Sequence, residues 1–311
     1  MPEVLPIRRE MFGELRDGVL RELNPNMSPE LWERAFELGD PDEPRGYALA
    51  EGGSIVGLLG MIFSRRQIGG QEERFCNLHS WYVRPEHRVR SLALLRPLAA
   101  MRDVTITDLS ATSEVRAISQ RLGFVELDRS AIVLPPLAWG RDIERCEIID
   151  LSDPECSDTS ILSSVERAIH RDHARMDCCQ LLVCDSGGYC YIVYSRITHG
   201  VLAGIIATTL VHHLSDPARF ARYHGTIRAH LMQRSRSQSV VVDARLLAGA
   251  NVPGSLRMPA VPKIFRSQRV KPEQIDGLYS EQVCFKLSTL PTLRSLIAAA
   301  RARWSPIRPG C

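Results

Sequence analysis

The chain has 311 residues, 44% of them hydrophobic and 24% charged, a composition that supports two packed domains rather than a disordered chain. Its net charge of +3 is too small for a protein whose main partner is nucleic acid. Of the 39 basic residues only Lys263, Lys271 and Lys286 are lysine, so 36 are arginine, a bias that fits a GC-rich bacterial genome.

Arg8, Arg9, Glu10, Glu14 and Arg16 interrupt the start of the chain, which predicts no signal peptide. The longest apolar run, residues 201–211, is too short to span a bilayer and reads as a buried strand. The expectation is a cytoplasmic protein with no membrane partner and nine reduced cysteines. His170, His173, Cys178 and Cys179 cluster in sequence, but their spacing matches no zinc motif, and they read as packing residues with no metal.

In chain order, residues 7–23 carry apolar side chains at helical spacing. Ser28 then caps a second helix with Pro29 at its first position, and Trp32, Ala35, Phe36 and Leu38 form its apolar stripe. The period changes at residue 47. Two apolar runs, 47–50 and 55–63, flank Gly52-Gly53 and predict a β-hairpin. A third strand is expected over about 74–83, ending before Pro85. Side-chain alternation places Asn77, His79, Trp81 and Val83 on one face of it. His79 is the group on that face whose ordinary pKa lies near neutrality, which makes it a candidate general base.

A short polar loop and an apolar stretch follow: Val83-Arg84-Pro85-Glu86-His87-Arg88-Val89-Arg90-Ser91-Leu92-Ala93. A strand that runs through such a loop into a helix leaves backbone N–H groups unpaired at the helix start, which suits phosphate. Pro97 then falls about two turns into the expected helix, where it predicts a kink. Residues 104–108 read as a β-branched strand and 113–122 as a helix closed by Gly123-Phe124. Residues 124–127 and 130–134 read as closing strands.

The run Val-x-Pro-x-x-Arg-x-x-Ser-x-Ala resembles motif A of the GNAT N-acyltransferase superfamily, and 117–124 resembles that family's Gly-Phe ending. The resemblance covers about residues 7–134. It implies an acyltransferase moving an acetyl or other acyl group from acyl-CoA to an amine-bearing acceptor: a small molecule, sugar or peptide. The cofactor is expected along Trp81, Tyr82 and Val83, with its pyrophosphate wrapped by Arg88, Val89, Arg90, Ser91, Leu92 and Ala93. Ser91 stands where the family prefers glycine. Ser119 stands where the family often has a tyrosine that protonates the leaving thiolate. With Asn77 and His79 it completes the candidate catalytic set.

The second half repeats the pattern. A hairpin around Gly187-Gly188, a strand over 201–212, a helix over 217–233, a strand over 239–243 and a final strand over 282–287 echo the first half, with an insertion around 246–266. The expected architecture is α/β, two tandem GNAT-like domains (1–140 and 141–311), each a central mixed β-sheet flanked by helices. The helix at 217 opens on Asp216-Pro217, and a carboxylate there repels phosphate, so the second domain is expected to be degenerate. Tandem halves of this kind are also similar to Fem-type tRNA-dependent aminoacyl transferases, but the weak net charge and the CoA-type loop speak against that reading. A non-catalytic acyl-CoA-binding or scaffolding protein is the other alternative.

Overall fold

In the computed structural model, residues 3–136, 144–152, 159–198 and 206–290 are described. They form two seven-stranded mixed sheets flanked by helices. The first contains β1 (Glu3–Pro6), β2 (Gly46–Glu51), β3 (Ser54–Ile68), β4 (Gln71–Val83), β5 (Val104–Asp108), β14 (Ile264–Arg266) and β6 (Val125–Glu126), in that spatial order. The second runs β13 (Leu256–Pro259), β7 (Ser130–Leu134), β12 (Ser239–Asp243), β11 (Ala207–Leu214), β10 (Gly188–Thr198), β9 (Cys179–Asp185) and β8 (Glu147–Asp150).

Both hairpins turn where the glycine pairs predict. Gly52 and Gly53 adopt φ of 60° and 82°, a region that costs glycine nothing, and β2 pairs antiparallel with β3 across them. β9 and β10 pair the same way around Gly188. Each sheet holds one parallel pair, β4 with β5 and β11 with β12, linked by a helical crossover. The two helices Pro29–Glu37 and Ser164–His173 open alike, on the serine N-caps Ser28 and Ser163. Phe63 and Phe220 are fully buried in the first and second cores respectively, each worth about 2–3 kcal/mol of transfer free energy.

Three elements differ from the sequence expectation. The strand at 130–134 closes the second sheet rather than the first, pairing with β12, while β14 from the 246–266 insertion enters the first sheet beside β5. The halves thus exchange strands. The expected strand at 282–287 is instead the helix Glu281–Phe285, capped by Ser280. Residues Pro85–Leu95 wind as 3-10 turns, and the α-helix begins only at Arg96. Pro97 therefore sits in the first turn of a short helix, where its missing N–H breaks no bond and no kink is required. The expected strand start at 201–205 and the residues after 290 lie outside the described residues.

Candidate functional site

β4 and β5 are paired from Arg74–Val104 to Asn77–Thr107 and then part. Just beyond that point β4 carries a bulge. His79 pairs with Gly60 and Tyr82 with Leu58, so Ser80 and Trp81 oppose Leu59 alone, and Ser80 takes φ of 52°. The bulge breaks the alternation on which a shared face was expected. Trp81 and Val83 pack with Cys76 and Leu78 on the side of Leu94 and Leu95. His79 lies against Phe36 and Phe285 on the opposite side, and Tyr82 joins that second cluster.

The mouth between the parted strands is occupied by the helix Glu281–Phe285. Asn77 Oδ1 accepts from Glu281 N (3.0 Å), and Asn77 Nδ2 donates to Thr107 Oγ1 (3.1 Å). Glu281 Oε1 accepts from Leu109 N (2.8 Å), and Gln282 Nε2 donates to Leu109 O (2.9 Å). The His79 ring stands edge-on to Phe36 (5.9 Å between centroids) and Phe285 (5.6 Å). It covers Gly60 so closely that a Cβ there would lie 2.2 Å from the ring. Its Nδ1 meets Ser80 Oγ at 2.9 Å, while Nε2 has no partner. Burial drives the imidazole down to about 3, so it is neutral at physiological pH. Ser119 is also buried, on the helix Ser113–Gln120, and makes none of these contacts.

Phe285 is the ring that seals His79 from the second half. In Phe285→Ala, the imidazole is expected to titrate well above its present value of about 3, moving toward the ordinary 6.5 as water reaches it. Nitrogen-15 NMR of the imidazole reads this directly. A His79 that still stays neutral below pH 4 would show that Phe285 is not what excludes water.

The 88–93 loop lies past the bulge. Arg88 is exposed and has no ion-pair partner among the described residues. Val89 and Leu92 are 90% and 55% exposed. Arg90 is held by Glu51, which also meets His87 Nδ1 at 2.8 Å. Ser91 and Ala93 are half-buried, and Ala93 packs on the core beside Trp81. Successive 3-10 turns draw backbone amides of the run into local pairing, unlike the free helix start that the sequence predicts. Arg84 forks onto Glu22 (2.7 and 3.0 Å), and Tyr82 donates to the same carboxylate at 3.2 Å.

The second half repeats this geometry with a different outcome. β11 and β12 are paired up to Val211–Val242 and then part, and His212 is an extra residue between the pairs Val211–Tyr194 and His213–Val193. Asp243 ends β12 as Asp108 ends β5. Here the parted strands open into a cavity of about 930 Å³. Its walls come from both halves: Arg66 and Ile68 at the end of β3, Glu166 on the helix Ser164–His173, and His213 on β11. His213 Nδ1 meets Asp276 Oδ2 at 2.8 Å, and Arg66 pairs with the same carboxylate. Burial alone pushes Asp276 up, but Arg66 and His213 outweigh it and hold the carboxyl below the usual range. The helix start at Pro217 is capped by Asp216, whose Oδ1 accepts from Arg219 N (2.8 Å), as the sequence implies.

Residues 276–282 link the two clefts: Gly277 N donates to His212 O (2.8 Å) while Glu281 N donates to Asn77. Asp276, Glu281 and Phe285 carry no motif, and no local pattern marks them. His170 and His173 bond to Gln180 Oε1 (2.8 Å) and Ile169 O (2.9 Å), and Cys178 to His173 O. Among the described residues no group of three or more His, Cys, Asp or Glu is arranged to hold a metal, and no helix is long and apolar enough to cross a membrane.

No family model matches the chain, and no curated protein is detectably similar in sequence. Solved structures do match in fold. A GCN5-related N-acetyltransferase from Anabaena variabilis aligns with a TM-score of 0.56 at 11% identity, covering 86% of this chain and 72% of its own. One from Kribbella flavida gives 0.52 at 14%, covering 86% and 71%. Saccharomyces cerevisiae N-myristoyltransferase, solved with bound myristoyl-CoA and inhibitors, gives 0.50 at 10%, covering 94% and 86%. The fold is that of the GNAT N-acyltransferase superfamily. It is present here as two GNAT-like halves.

Proposed function

We propose that the protein is an acyl-CoA-dependent N-acyltransferase, moving an acetyl or other acyl group to the amine of a small molecule, sugar or peptide. In this reading the first half, residues 1–140, holds the cofactor along Trp81, Tyr82 and Val83, with its pyrophosphate at Arg88, Val89, Arg90, Ser91, Leu92 and Ala93. The second half, 141–311, supports it. The observation that carries the reading is the parting of β4 and β5 beyond Asn77, with the bulge at Ser80 and the 88–93 loop directly after it. A bulge next to a binding site is a recurrent device for re-aiming a strand. The neighbours of the same fold, one of them solved with myristoyl-CoA, add support.

Calorimetric titration with acetyl-CoA tests it. Arg88→Glu combined with Ser91→Asp is expected to weaken binding by about tenfold or more, because two carboxylates replace a cation and a hydroxyl facing the phosphates. Unchanged affinity in the double variant would remove the loop from the site.

Acyl-CoA binding without turnover is a second reading, favoured by the closure of the first cleft. Phe36, Phe285 and a neutral His79 fill the side from which an acceptor would approach. Tight acetyl-CoA binding with no acylation of any amine in a broad panel is the outcome it requires. A single acceptor acylated at an enzymatic rate excludes it.

A further inference from the structure

The open cleft of the second half takes no part in that reading. At about 930 Å³ it lies within the range of small-molecule sites, about 300–1,000 Å³. Its cations are already matched. Arg66 is paired with Asp276, Arg245 with Asp243, and Arg65 with Asp40 (3.0 Å) and Glu72 (3.0 Å). Its anions are not. Glu166 accepts from Tyr189 Oη (2.5 Å), Ser163 Oγ (2.7 Å) and Ser163 N (3.0 Å), all neutral donors, and Glu273 has no ion-pair partner among the described residues. Burial pushes the Glu166 carboxyl up, but these donors, and the nearby His213, outweigh it and hold it below the usual range. Glu166 is thus hydrogen-bonded but has no Arg or Lys ion-pair partner among the described residues, and a cation in the cavity would complete its charge pairing.

His213 adds an acceptor. Asp276 is buried and held as a carboxylate by Arg66, so it accepts a hydrogen bond from His213 Nδ1–H. That makes Nδ1 the donor, and in the neutral ring Nε2 is then the acceptor. Ile68, Leu214 and Leu246 give the wall an apolar strip, set among polar residues such as Gln67, Ser215 and Gln274.

We propose that this cavity binds a small aliphatic primary amine as its ammonium ion, held by the Glu166 carboxylate and His213 Nε2, with its carbon chain along Ile68, Leu214 and Leu246. The site is independent of the acyl-CoA reading, and it takes walls from both halves, so its occupant would tie them together.

The test is a titration of the full chain with hexylamine, with hexanol as the uncharged control, read by calorimetry and by the nitrogen-15 resonances of the His213 imidazole. The expected result is saturable binding of hexylamine, displacement of the Nε2 resonance, and no comparable response to hexanol. Glu166→Gln is expected to weaken the amine by about tenfold or more, the loss of one charge-assisted hydrogen bond. Equal binding of amine and alcohol overturns the proposal, and so does undiminished amine binding in a folded Glu166→Gln variant. Should that variant not fold, the wild-type Nε2 resonance decides: a position unmoved by hexylamine overturns the site.

Discussion

Asp243→Ala is expected to cost about 3–5 kcal/mol of folding stability, the range seen when one partner of a buried ion pair is removed. Asp243 lies between two buried cations. Its Oδ2 accepts from Lys263 Nζ (2.6 Å) and Arg245 Nη2 (2.7 Å), and its Oδ1 accepts from Arg245 Nε (3.0 Å). The side chains of Lys263 and Arg245 are 3% and 5% exposed. Burial drives the Lys263 ammonium down and Asp243 pulls it back, so alanine leaves that cation with only the opposing push of Arg245. Arg245 retains the carbonyls of Pro272 and Ile275 at 2.8 and 2.9 Å, whereas Lys263 Nζ loses the one acceptor it has among the described residues. Urea unfolding of wild type and variant measures the cost. A second substitution, Lys263→Met, is expected to recover part of it by removing the stranded charge. A loss below about 1 kcal/mol, with no recovery in the double variant, would mean that water reaches the cluster freely.

Glu281→Gln is expected to stabilise the protein at alkaline pH and leave it nearly unchanged in acid. Burial, and then the nearby carboxyl of Asp108, push the Glu281 carboxyl up to about 8, whereas an unfolded chain ionises it near 4.5. Between those values the unfolded state has released a proton that the folded state still holds. Stability therefore falls as pH rises through this window. Glutamine keeps the carbonyl that accepts from Leu109 N and cannot ionise. At pH 9 the variant is expected to exceed wild type by about 2–4 kcal/mol, on a scale of about 1.4 kcal/mol per pKa unit. Paired unfolding curves at pH 5 and pH 9 give the answer. If the two proteins lose stability in parallel, Glu281 is not the titrating group.

Much of each half could be read from the sequence because the signals are local. Glycine pairs mark the hairpins, β-branched runs mark β5 and β12, and the serine cap at Ser28 opens the helix behind it. The repeat was visible for the same reason. The β4 bulge was not, because a one-residue insertion leaves an apolar run looking continuous. That one residue moved Trp81 and Val83 to the face opposite His79. The 3-10 winding of Pro85–Leu95 was likewise hidden, since a loop-to-helix pattern does not specify where α-helical pairing begins.

By itself the sequence determined the glycine turns, the two hairpins and the caps at Ser28 and Asp216, since each follows from residues within a few positions of one another. The tertiary structure alone decided which cleft stays open. Glu281 reaches Asn77 across 204 residues, and Arg66 reaches Asp276 across 210. Over such separations no spacing rule applies, because the contact depends on how both sheets pack. In that packing Phe285 fills the first cleft, while the second remains a cavity faced by His213 and Glu166.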